Sequence, residues 1–387
     1  MERISIFFIK CTVYRSNERG IFKCFDKSGL TSIYQSNNWI KSAQRVSLIF
    51  LLTFLILLLP FAKTLGQVYS VAETPWPEEY GNHRAVLDIP KGGDAVYIDL
   101  LWRRHDKVPG NKRFLVIEAE TGDTIPYIYR LEVNNERCKI VAGPVKNSGL
   151  YYFYYLPSNA VKGKNGARGY APIETAPNNQ WITTHKLDQG VPNNRHIDKA
   201  TIKEIQSRTE FDSFYPMEVI ATQAEEEIFL SRYKSDYLVF TEDRTLPIRM
   251  LDALPLRWVQ KPLDNEFIGK AKKNEYYALQ LGIYASQLSL ENIRLEYSDL
   301  KDKNGNIISK DAFTCYNTDG VDIDGKPFTL KVNVEQGKIQ PMWVGIDIPH
   351  NAKPGTYEGT VIIKPEKLEE QNIKVILEIE NELLADR

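Results

Sequence analysis

Residues able to do chemistry are scattered through this sequence rather than gathered into a motif. No G-x-S-x-G, G-x-x-x-x-G-K-[ST] or H-E-x-x-H pattern occurs, so a strained serine nucleophile, a phosphate cradle and a helical zinc pair are all missing. The five histidines, His83, His105, His185, His196 and His350, show no metal-ligand spacing. Glycoside hydrolysis needs two carboxylates held a few ångströms apart, one to protonate the leaving oxygen and one to meet the cationic sugar. The densest acidic run, Glu225-Glu226-Glu227, diverges around a helix and reads as a solvated face. No catalytic residue is assigned.

Two binding chemistries remain. Asp319, Asp322 and Asp324 flank a turn and are weak candidates for calcium, with solvated turn carboxylates as the competing reading. Asp302, Asn304 and Asn306 begin like a calcium loop, but Ile307 and Phe313 stand where that motif needs Gly and Glu. Aromatic rings can stack on sugars, and Trp181 and Tyr170 lie in a polar stretch where they either offer carbohydrate-binding platforms or pin the loop. In Tyr151-Tyr152-Phe153-Tyr154-Tyr155, strand alternation lets one set of rings fill a core while the other stacks on a sheet or a sugar. No cofactor is implied.

The elements that must position these groups are mainly strands. After Gln67, short apolar or alternating runs are broken by Lys91-Gly92-Gly93-Asp94, Pro109-Gly110-Asn111, Thr121-Gly122-Asp123 and Asn147-Ser148-Gly149, the rhythm of a β-sandwich. Residues 157–200 interrupt it with Pro, Gly and Asn and read as a loop-rich insertion. Residues 218–233 predict a helix, with Val219, Ala224, Ile228 and Phe229 sharing a face. A second β region follows, with Asn304-Gly305 and Asp324-Gly325 as hairpin turns. The expected fold is therefore mainly β: two β-sandwich-like domains with a short helical connection, preceded by an N-terminal hydrophobic signal or anchor helix. The expected boundaries are a leader at 1–66, a first sandwich at 67–215, connecting helix and strands at 216–274, and a second sandwich at 275–387.

The leader carries VSLIFLLTFLILLLPFA from Val46 to Ala62, flanked by Lys41 and Arg45, the pattern of an export signal. Cleavage after Gly66 is expected, a retained membrane anchor being the alternative, so the protein is expected in the periplasm or at the cell surface. Of 49 basic and 50 acidic residues in all, the first 66 hold nine and three, which leaves 40 against 47, a net −7, for the rest. That balance argues against nucleic acid, since a negative surface repels phosphates. Outside the leader only Cys138 and Cys315 remain, too few for a disulfide framework.

From Gln340 to Ile363 the chain reads QPMWVGIDIPHNAKPGTYEGTVII, two strands joined by a turn that Pro354-Gly355 fixes. This stretch resembles the end of the N-terminal β-sandwich region in glycoside hydrolase family 123. Phe211 to Thr222 (FDSFYPMEVIAT) and Arg244 to Lys261 (RTLPIRMLDALPLRWVQK) also look like that group. The resemblance implies an exported bacterial system for degrading N-acetylgalactosaminides or other glycans. In such relatives an adjacent Asp-Glu pair acts within a following (β/α) barrel. This sequence contains no Asp-Glu dipeptide, and a barrel of about 250 residues has no room beside the β regions. The resemblance thus points to a non-catalytic region whose partner is a catalytic barrel or a glycan. An independent exported carbohydrate-binding or surface protein is the alternative.

Overall fold

In a computed structural model residues 67–387 form one compact unit. The structure describes residues 68–158, 169–190 and 197–385. The expected signal or anchor helix lies outside the described residues, and among these no helix is long and apolar enough to cross a membrane.

The described chain is mainly β and forms several sheets. Its first half holds a five-stranded sheet in the order Tyr69–Val71, Thr201–Ser207, His83–Ile89, Gly149–Tyr154 and Leu115–Glu118. A four-stranded sheet runs Tyr127–Val133, Arg137–Gly143, Val96–Leu101 and Asp198–Lys199. One core draws on both: Leu87, Val116, Phe153 and Ile205 from the first sheet meet Ile98, Leu100, Cys138 and Ile140 from the second. Period-two alternation accounts for this, because every second side chain of a strand faces the same way. Tyr151, Phe153 and Tyr155 point into that core, whereas Tyr154 packs with Trp76 and Ile117 in a separate cluster that Tyr152 borders.

The second half repeats the plan with different topology. Leu238–Asp243, Tyr276–Tyr284, Ile339–Asp347 and Phe313–Cys315 make a four-stranded sheet. The six-stranded sheet runs Glu266–Lys273, Gln371–Leu383, Gly355–Lys364, Leu300–Asp302 and Ile307–Ile308, with Arg294–Tyr297 also on Gly355–Lys364. Leu279, Leu281, Val344 and Ile346 face Val361, Ile363, Val375 and Leu377 across the core. Both glycine turns form, Gly305 at φ +83 and Gly325 at φ +77, values an L side chain rarely adopts.

Between the halves lies a third apolar cluster. Val239 turns toward the second core, while Leu238 and Phe240 turn outward to Met217, Phe229 and Trp258. The Trp258 indole stacks on Phe240 with centroids 4.2 Å apart, over Gly282, where a Cβ would meet the ring at 2.5 Å. The helix predicted for 218–233 is confined to Gln223–Leu230, and its faces differ from the expected ones. Phe229 is buried, but Ala224 and Ile228 are exposed and Glu225 and Glu226 turn partly inward. The loop-rich insertion contains a short helix, Asn179–Thr184, opened by the Asn178 side chain accepting from the Trp181 amide.

Candidate interaction surfaces

The two aromatic candidates of the insertion sit in different surroundings. Trp181 is buried against Tyr97, Val141 and Leu187, and its Nε1–H donates to the Asp94 carbonyl at 3.2 Å. Tyr127 and His185 cover its ring, which anchors the insertion to the sheet and leaves no open face for a sugar. Tyr170 is half exposed, with the Lys112 ammonium 3.6 Å from its ring centroid. The structure does not bring Trp181 and Tyr170 together into one cluster.

Two of the three calcium candidates, Asp322 and Asp324, are engaged within their own turn. Asp322 Oδ1 accepts from the amides of Asp324 and Lys326 at 2.9 and 2.8 Å, and Asp324 faces Lys326 at 4.0 Å. Asp302 does the same one hairpin earlier, accepting from Asn304 and Asn306. Among the described residues no group of three or more His, Cys, Asp or Glu is arranged to hold a metal ion.

The outer face of the first sheet carries a cation inside an aromatic cage. The Arg84 guanidinium lies 4.3 Å from the Trp76 centroid and 3.6 Å from that of Tyr152, and donates to Tyr154 Oη and Gln206 Oε1. Elsewhere an open polar cleft of about 660 Å³ is bordered by Arg232, Lys234, Asp236, Asn265, Glu369 and Gln371. Gln371 is already committed there, donating to the Tyr237 carbonyl and the Ser235 hydroxyl.

A paired charge also joins the first half to the short helix. Arg103, nearly buried and at a left-handed φ of +49, forks onto Glu225 and also donates to the Ile220 carbonyl. Backbone bonds reinforce the join: the Ile220 amide donates to Arg103 O, and Arg104 bridges Val219. Burial alone would raise the Glu225 pKa, yet the Arg103 fork and the Thr222 amide hold it at about 2. Its neighbour Glu226 is shifted upward by burial, although the Leu254 amide opposes this. Thus the acidic run expected to be solvated is half structural. The missed signal is Thr222, whose spacing to Glu225 makes a capping box that draws the carboxylate back over the helix start.

Residues 74–208 match the family model described as glycoside hydrolase 123, N-terminal domain, and residues 317–365 match a second glycoside hydrolase 123 N-terminal domain model. Among solved structures, a family 123 glycoside hydrolase from Clostridium perfringens is 22% identical, over 33% of this chain and 24% of the enzyme, at a TM-score of 0.28. A PapD-like domain of human CEP192 is 12% identical over 38% of this chain and 88% of its own, at a TM-score of 0.22. The Escherichia coli fimbrial adhesin CfaE is 9% identical over 81% and 98%, at 0.20. No curated protein matches the chain. This chain spans about a quarter of the Clostridium enzyme. The two matched segments, one in each half of a single compact unit, make this region similar to the N-terminal domains of glycoside hydrolase family 123.

Proposed function

We propose that this chain supports the catalytic (β/α) barrel of an exported glycan-degrading enzyme, packing beside the barrel and helping to shape its substrate cleft. The observation that carries the reading is the pair of family matches, 74–208 and 317–365, on one folded unit. The first segment covers most strands of both sheets in the first half, and the second covers the strands Ile339–Asp347 and Gly355–Lys364 of the second. In this reading the halves are two sandwich-like domains, 67–215 and 275–387, joined by 216–274, which also lends the strands Leu238–Asp243 and Glu266–Lys273 to the sheets of the second half. The leader at 1–66 directs export, and the glycan is contacted mainly through the barrel.

Two measurements test it. The purified chain alone should release no product from an aryl N-acetylgalactosaminide. Turnover in this chain that a single carboxylate substitution abolishes would overturn the supporting role. In the native host, the mature protein should be recovered from the envelope fraction with Gln67 as its first residue; a cytosolic protein beginning at Met1 would end the export reading.

A further inference from the structure

The strands Asp319–Val321 and Pro327–Thr329 make a two-stranded sheet with no third strand among the described residues. Their register sets Gly320 opposite Phe328 and Val321 opposite Pro327. Strand alternation then puts Phe328 and Leu330 on one face and Val321 and Pro327 on the other, with Ile323 at the tip. Every residue from 321 to 330 is exposed, and Ile323 is fully so. A two-stranded ribbon wet on both faces is marginal in water, because it buries no apolar face of its own.

This ribbon is nevertheless well built at its end. Asp322 closes the turn by accepting from two amides, its own amide donates to the Lys326 carbonyl at 2.9 Å, and Gly325 supplies the positive φ. The Phe328 ring lies over Gly320, at 2.8 Å from where a Cβ would stand. The result is an ordered projection that carries its apolar side chains outward.

Its position says what covers it. The polypeptide reaches Leu384 and Ala385 beside Asn274, whose side-chain amide donates to both carbonyls, and the Leu384 amide donates to Lys273 O at 3.0 Å. Two residues past Asn274, the Tyr276 ring lies 6.0 Å from that of Tyr316, at the foot of the ribbon. Residues 384–385 and the foot of the ribbon thus both lie along the segment Lys273–Tyr276, so a domain attached at residue 385 would share this end of the second half with the hairpin. Its charge also disfavours a second copy: Asp319, Asp322 and Asp324 outweigh Lys326, so two tips facing each other would repel.

We propose that the hairpin 319–330 is a docking element for the catalytic domain of the same family 123 enzyme, which receives it in an apolar groove rimmed by Lys or Arg. This rests on the supporting role proposed above. The test mixes the full chain with the family 123 catalytic domain from the same genome, made as a separate chain. Sedimentation velocity reads the complex, and hydrogen exchange reads protection along the chain. Complex formation should protect amides 319–330, and Ile323→Ser and Phe328→Ser should each weaken it at least tenfold. Ile228→Ser, an exposed apolar change on the helix, should leave it intact. The melting temperature of each variant checks that it is folded. Binding that survives both hairpin substitutions, with protection elsewhere, overturns the hairpin assignment and leaves the supporting role standing. No binding by the unaltered chain overturns both. Dimerisation of the chain alone that Ile323→Ser abolishes assigns the surface to a second copy and overturns the proposal.

Discussion

The Arg103 guanidinium holds the Glu225 carboxylate by two parallel bonds, Nη1 to Oε2 at 2.6 Å and Nη2 to Oε1 at 2.7 Å. Arg103 follows the strand Val96–Leu101 of the first half, and Glu225 lies in the first turn of the connecting helix, so this fork ties two parts of the chain that are 122 residues apart. The pair is unevenly buried, at 8% exposure for Arg103 and 37% for Glu225. Removing the carboxylate strands the less solvated partner, and that asymmetry sets the first prediction.

Glu225→Gln should destabilise the protein by about 2 kcal/mol: less than the 3–5 kcal/mol for breaking a fully buried pair, because water screens Glu225. Glu227→Gln, on an exposed neighbour, should change stability by no more than ~0.5 kcal/mol. A double-mutant cycle with Arg103→Met, read by urea denaturation, should return a coupling of roughly 1–2 kcal/mol. Additive effects of the two changes would show that the fork contributes nothing.

Acid should release the same contact. Glu225 is held at about 2 against an ordinary 4.5, so its folded form binds protons less readily than the unfolded chain. Stability from this group is present above pH 4.5 and is lost as the pH falls toward about 2. The melting temperature should therefore drop across that window, and Glu225→Gln should flatten the drop. An equal slope in both proteins would assign the acid sensitivity to other carboxylates.

Thr222 opens the helix Gln223–Leu230, its hydroxyl accepting from the Glu225 amide while its own amide donates to Glu225 Oε2 at 2.8 Å. Thr222→Ala should cost about 1 kcal/mol, and Thr222→Ser should restore most of it. Denaturation midpoints of the two variants check this.

Gly282→Ala places a Cβ 2.5 Å from the Trp258 ring and 3.0 Å from Ile248 Cδ1, inside a packed cluster. The indole must lift off Phe240, at a cost of about 1–3 kcal/mol. Tryptophan emission should shift to the red as Trp258 gains water. Unchanged emission and melting would mean that the strand yields instead.

Trp181 and Tyr170 should part company on substitution. Trp181→Ala empties a buried site and should cost about 3–5 kcal/mol, whereas Tyr170→Ala should stay within about 0.5 kcal/mol. Comparable losses at both, measured by thermal unfolding, would contradict their different surroundings.

By itself the sequence determined the mainly β character, since strand alternation and glycine turns are local properties of neighbouring residues. Tyr151, Phe153 and Tyr155 had to share one face, and Gly305 and Gly325 had to sit where φ is positive. The resemblance at Gln340 to Ile363 was legible for the same reason, as two strands and a Pro-Gly turn written in consecutive residues. Only the tertiary structure decided which surfaces are open. Trp181 could equally have offered a sugar platform or pinned its loop, and it is covered by Tyr127 and His185, while Ile228 looked like core but is exposed. The Glu225 carboxylate is bound because Arg103 arrives from 122 residues away, and Val321 and Ile323 are bare because no third strand of the described residues reaches them. Burial and charge pairing depend on what the rest of the chain brings alongside, and a pattern of neighbouring residues carries no record of that.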